Sequence, residues 1–129
     1  MIRVKRTYDA PARGDGVRIL VERLWPRGMK KEELVIDSWE KQVAPSAELR
    51  KWFDHRAERW EEFRRRYRAE LERNPSAWEP IARAARRGTV TLLYSAHDTQ
   101  HNGALVLQDF LADRAKTRAS PGEAAKGPQ

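Results

Sequence analysis

Two short polar segments hold most of the side chains able to do chemistry: RLWPRGMKK at residues 23–31 and SAHDTQHN at 95–102. In the first, Arg23, Arg27, Lys30 and Lys31 fall within nine positions, around a rigid Pro26 and a permissive Gly28 that lets backbone approach a ligand closely. An arginine fork binds phosphate or carboxylate through two parallel hydrogen bonds, and Trp25 offers a planar surface for a base or a similar group. This combination points to an anionic, nucleotide-like ligand. The same residues also fit a structural account, in which Trp25 plugs the core and the arginines pair with acids such as Glu22, Asp37 or Asp98.

In the second segment, His97 beside Asp98 joins a titratable base to a carboxylate that orients it, the equipment of general acid–base catalysis. Asn102 or Ser95 suits the cap of a following helix, whose first amides help to hold an anion. Ser95 is also the hydroxyl best placed as a nucleophile there, but it lacks the G-x-S-x-G elbow. His97 and His101 stand four apart with an aspartate between them, a spacing that serves a metal when it lies on one helix. Here it straddles a loop, and the remaining histidine, His55, belongs to a distant turn. No metal site is assigned, and a metal-dependent hydrolase using His97 and His101 stays open as an alternative.

The whole chain narrows the field. Its 129 residues suffice for one domain with a real core and are too few for two ordinary ones. An apolar content of 40% with five tryptophans excludes a wholly disordered chain, and 35% charged residues make the surface densely ionic. No apolar run approaches the roughly 20 residues needed to span a bilayer, and the opening MIRVKRTYDAPARG lacks a secretion signal, so a cytoplasmic protein without membrane contact is expected. The absence of cysteine removes disulfides, thiolate metal sites and thiol nucleophiles.

The elements that position the two segments follow from periodicity. Residues 2–8 alternate apolar and basic side chains, as a half-buried strand near a sheet edge does, and residues 17–24 read as a more deeply buried strand that Pro26 ends. A short helix at 31–34 and an extended piece at 36–43 come next. Ser46 suits the N-cap of a helix beginning AELRKWF, and a second helix over 58–73 carries Trp60, Phe63, Tyr67 and Leu71 on one stripe. A third helix spans 77–87 and stops at Gly88. Residues 89–94 form another buried strand, and 103–114 a closing helix. The domain is drawn at 1–114, with 115–129 as a flexible basic tail.

Strand, helices, strand, helix is the order of an α/β domain, expected here as a single small one with a mainly parallel sheet flanked by helices. In such sheets the loops leaving the carboxyl ends of the strands converge where ligands bind, so the two peculiar segments are expected to face each other across one crevice.

The blocks VERLWPRG, APSAELRKWFDHRAERWEEFRRRYRAEL and TVTLLYSAHDTQHNGALVL resemble the domain of unknown function 488 family, in its small YeaO-like branch. The resemblance covers residues 17–112 and implies a compact α/β fold, with no settled activity or cofactor. Looser relatives carry cysteine, glutamate and Cys-His-Arg where this chain has LLYSAHDTQHNGA, so any thiol chemistry of theirs does not transfer to Tyr94, Ser95 or His101. Arg50 and Tyr67 fall in the second block and are secondary candidates.

The leading expectation is a cleft that binds a small phosphate- or carboxylate-bearing ligand. Arg23, Trp25, Arg27, Gly28, Lys30, Ser95, His101 and Asn102 serve binding, and His97 with Asp98 serves any acid–base step. A net charge of +7 supports a further alternative, a nucleic-acid-associated or regulatory module whose contact is weak and non-specific. Along helix 58–73 acids nearly offset the arginines, so that surface reads as a solvated, charge-laced face.

Overall fold

The computed structural model describes residues 1–119. Four parallel strands form one sheet: β1 (Ile2–Arg6), β2 (Val17–Leu20), β3 (Ser38–Trp39) and β4 (Val90–Tyr94), in the order β1-β4-β2-β3. Four helices accompany them: α1 (Ala47–Phe53), α2 (Trp60–Glu72), α3 (Pro75–Arg87) and α4 (Gly103–Ala119). β1 does lie at an edge, and the two buried strands β2 and β4 are direct parallel neighbours, with Ile19 opposite Leu92.

Period-two alternation divides the sheet's side chains between two unlike faces. Val4, Ile19, Val90, Leu92 and Tyr94 point to the face on which all four helices pack, through Leu49, Phe53, Phe63, Tyr67, Trp78, Leu107 and Phe110 among others. Leu20 and Leu93 point the other way, where Trp25, Met29, Leu34 and Ile36 from the long connection cover them. The flanking helices thus belong to one face, and loops close the other.

A buried charge cluster completes the loop-covered face. Arg18 and Lys5 both pair with Asp15, Lys5 at 3.1 Å, and the Asp15 carbonyl accepts from Thr91 Oγ1 at 2.7 Å. A hydrogen bond from the Ala12 N–H, together with the two cations, holds the Asp15 carboxyl down at about 2 against the cost of its burial.

Several boundaries differ from the sequence reading. β1 and β2 stop at Arg6 and Leu20, two and four residues early, because the chain bends away once the ladder with β4 is used up. The helix expected at 31–34 is a single 3-10 turn (Lys31–Glu33), and the extended piece at 36–43 shrinks to two residues of β3 and another 3-10 turn (Lys41–Val43). α3 begins at Pro75, a residue that suits the first helical turn. α4 runs on to Ala119, past the boundary drawn at residue 114, while the remainder of the expected tail, 120–129, lies outside the described residues.

Candidate functional site

The carboxyl ends of β2 and β4 lie side by side, and the two polar loops leave the sheet there. The Ser95 backbone N–H faces the Glu22 carboxyl and favours its charged form. Arg6 closes the other side, donating to the carbonyls of Ala96 at 2.9 Å and Ser95 at 3.1 Å. Thr7 Oγ1 lies 3.5 Å from Ser95 Oγ.

Glu22 and Arg50 interact electrostatically at this end of the sheet. Glu22 follows β2 into a poorly solvated position, and burial pushes its carboxyl up to about 7, only partly offset by the positive charge of Arg50 and the Ser95 N–H. Arg50 comes from the last turn of α1, whose register is set by Ser46: its Oγ accepts from the Leu49 N–H at 3.1 Å. The Arg50 Nε is buried and has no hydrogen-bond partner among the described residues. Tyr67, fully buried on α2, donates to the Val43 carbonyl at 2.6 Å, and its hydroxyl is held un-ionised by burial and by the nearby Glu70 and Glu22.

Ser46 also anchors α1 to α2, donating from Oγ and from its N–H to the two Glu70 oxygens at 2.6 and 2.9 Å. Two shallow grooves, of about 330 and 270 Å³, both include Ser46, Glu70 and Arg73 in their walls, and the smaller also reaches Arg23 and Tyr67.

The residues singled out from the sequence separate into distinct groups. Arg23 turns toward the chain, donating to the carbonyls of Pro45 at 2.8 Å and Ala44 at 3.3 Å. Trp25 packs edge-on to Trp39 with centroids 5.4 Å apart and gives its N–H to the Met29 carbonyl. That is the structural role weighed for it, with its N–H engaged inside the chain. Arg27, Gly28 and Lys30 are exposed at the loop tip, where Gly28 adopts a φ of 80° and Tyr8 Oη donates to the Arg27 carbonyl at 2.9 Å.

In the second loop Asp98 orients His101 and not its neighbour His97. The Asp98 carboxylate accepts from the N–H groups of Gln100 and His101, so the chain curls back and brings His101 Nδ1 to 3.0 Å from Asp98 Oδ2. Those backbone donors, Gln100 first, hold the Asp98 carboxyl below its ordinary value. His101 rests edge-on against Trp60 at 5.1 Å, while His97 is exposed. Asn102 caps α4, accepting from the Leu105 N–H at 3.1 Å. Among the described residues no group of three or more His, Cys, Asp or Glu side chains gathers at metal-binding range.

Sequence reasoning names Glu22 only as a structural partner for the arginines and does not single out Glu70. Glu22 carried a usable signal, a carboxylate at the exit of an aliphatic strand, at the end where ligands collect.

The family model described as "Inactive DUF488-N3 subclade" matches residues 1–128. The chain belongs to the DUF488 family. Within the curated relatives of this DUF488 chain, uncharacterized protein YeaO of Escherichia coli is 47% identical over 110 residues, covering 85% of this chain and 96% of YeaO. Uncharacterized protein Rv3073c of Mycobacterium tuberculosis is 37% identical over 113 residues, covering 88% of this chain and 95% of its own. Uncharacterized protein Mb3100c of Mycobacterium bovis matches to the same extent, 37% over 113 residues. No solved structure matches this DUF488 chain.

Proposed function

We propose that this protein is a cytoplasmic binding module for a small oxyanion, a phosphate- or carboxylate-bearing molecule, held at the carboxyl edge of the sheet between the two polar loops. The observation that carries the reading is the buried Arg50 Nε without a hydrogen-bond partner among the described residues. A buried donor left unsatisfied costs about 1–3 kcal/mol, and an anionic oxygen is the acceptor that best relieves it. Glu22 suits the same ligand: with its carboxyl raised to about 7 it is substantially protonated near neutrality and donates to the anion instead of repelling it.

This shifts the centre of the site from the loop tip to the sheet. Arg27 and Lys30, both exposed, supply long-range attraction at the mouth, and Arg50 supplies the contact. Binding without turnover is favoured by the description of the matching family as an inactive subclade and by the engagement of Asp98 with the chain's own His101.

The test is thermal unfolding against phosphate, sulfate, carboxylates and nucleotides, for wild type, Arg50→Met and Arg27→Ala. A ligand at about a hundred times its dissociation constant stabilises the native state by roughly 2.7 kcal/mol. The expected outcome is a raised midpoint with an oxyanion, lost in Arg50→Met and reduced in Arg27→Ala. Equal shifts in wild type and Arg50→Met reject the site.

A further inference from the structure

The opposite edge of the sheet, where the strands begin, gathers basic groups that the crevice does not use. It is closely tied together. The Met1 ammonium donates to the Gly88 carbonyl at 3.4 Å, the Val90 N–H to the Met1 carbonyl at 2.9 Å, and the Val17 N–H to the Thr89 carbonyl at 3.0 Å. Arg3 Nη1 reaches the Gly14 carbonyl at 2.9 Å. Gly16, with a φ of 63°, passes so near Thr89 that a Cβ would stand 2.1 Å from the Thr89 oxygen. These contacts hold the turn carrying Arg13 against the end of α3, where Arg86 and Arg87 precede Gly88 and Arg83 lies one turn earlier.

Arg3, Arg13, Arg83, Arg86 and Arg87 are all exposed, and none forms an ion pair among the described residues. The carboxylates of Asp15 and Asp37 on this side are engaged internally. Asp15 is buried against Lys5 and Arg18, and Asp37 accepts from the Arg18 N–H at 2.7 Å. Glu79, a turn before Arg83, is the acid nearest to it along α3. The arginine-rich face of α2 is different in kind, because Arg64, Arg65, Arg66 and Arg68 are matched by Glu61, Glu62 and Asp113. Uncompensated positive charge therefore concentrates at the amino edge, drawn there from three separate stretches of chain.

We infer that this edge docks on the phosphate backbone of a nucleic-acid duplex. Guanidinium forks fit phosphate oxygens bidentately, and five arginines present them here with no lysine among them. Base stacking, which single strands use, needs exposed aromatic rings, and the exposed Tyr8 lies past the far end of β1. Membrane insertion calls for a broad apolar wedge, and the large apolar side chains exposed here are Met1 and Val17. The grooves of about 330 and 270 Å³ lie away from these arginines, at Ser46 and Glu70. The docking is independent of sequence and separate from the crevice, so it stands without the anion site.

The experiment measures fluorescence anisotropy of a labelled duplex of about 20 base pairs over a salt series, using the full chain. Wild type is compared with Arg13→Ala/Arg86→Ala/Arg87→Ala and with a control that removes the same charge elsewhere, Lys51→Ala/Arg56→Ala/Arg64→Ala. The edge variant is expected to lose affinity roughly tenfold or more at low salt and to flatten the plot of log affinity against log salt by about 2 to 3 units, with the control close to wild type. Equal losses in the two variants overturn the docking edge, since net charge then suffices. Tighter binding to phosphatidylserine vesicles or to a polyglutamate peptide than to the duplex overturns it as well.

Discussion

The Glu22 carboxyl, two residues past β2, stands within electrostatic range of Arg50 on α1 and of the backbone N–H of Ser95, the first residue past β4. That arrangement brings together two segments far apart in the sequence. Glu22 is poorly solvated there, and its charge state and the partnerless Nε of Arg50 carry the proposed oxyanion site.

Glu22 makes the stability of the fold pH-dependent near neutrality. Its folded value, about 7, is raised above the ordinary 4.5, so the stabilisation belongs to the protonated form: it is fully present below the unfolded value and is lost as pH rises through about 7. Thermal midpoints are expected to fall from mildly acidic to mildly alkaline buffer, and Glu22→Gln to flatten that decline. A Glu22→Gln profile parallel to wild type contradicts the assignment.

Asp15 behaves in the opposite sense. Its carboxyl is depressed to about 2, so its contribution is present above the ordinary carboxylate value and is lost as pH falls through about 2. Asp15→Ala leaves Arg18, only 4% exposed, as an uncompensated buried charge, and is expected to cost about 3 kcal/mol or more in urea unfolding. A loss under about 1 kcal/mol, the worth of a surface pair, shows that the cluster is not sealed from water.

The Ser46–Glu70 contact couples α1 to α2 and fixes the register that aims Arg50. Ser46→Ala removes both the cap on the Leu49 N–H and a donor to Glu70, with an expected cost of about 1–2 kcal/mol. A double-mutant cycle with Glu70→Ala is expected to return a coupling of at least about 0.5 kcal/mol. Strict additivity tells against it.

Much of this was legible in the sequence. Aliphatic strands, the serine cap and the Phe63, Tyr67, Leu71 stripe follow from local periodicity, and parallel topology then put both loops at one end of the sheet. Other features depend on distant packing. Arg18 sits inside an aliphatic strand, and no local pattern announces its pairing with Asp15 beside Lys5. Trp25 was read with ligand stacking and core packing both open, and only the covering of Leu20 and Leu93 gives its place in the second cluster. The choice between His97 and His101 as the partner of Asp98 rests on a turn closed by that carboxylate itself. Glu22 and Arg50 come within electrostatic range of one another from different elements, and no spacing in the chain announces it.

Calorimetric titration with sulfate, whose own charge does not change near neutrality, tests the central claim most directly. Wild type and Arg50→Met are titrated at about pH 6 and about pH 8, on either side of the Glu22 transition. The expected result is one-site binding that is tighter at the lower pH and absent from Arg50→Met, with the variant still folding cooperatively. Binding of equal strength in wild type and Arg50→Met, at both pH values, contradicts an oxyanion site built on Arg50 and Glu22.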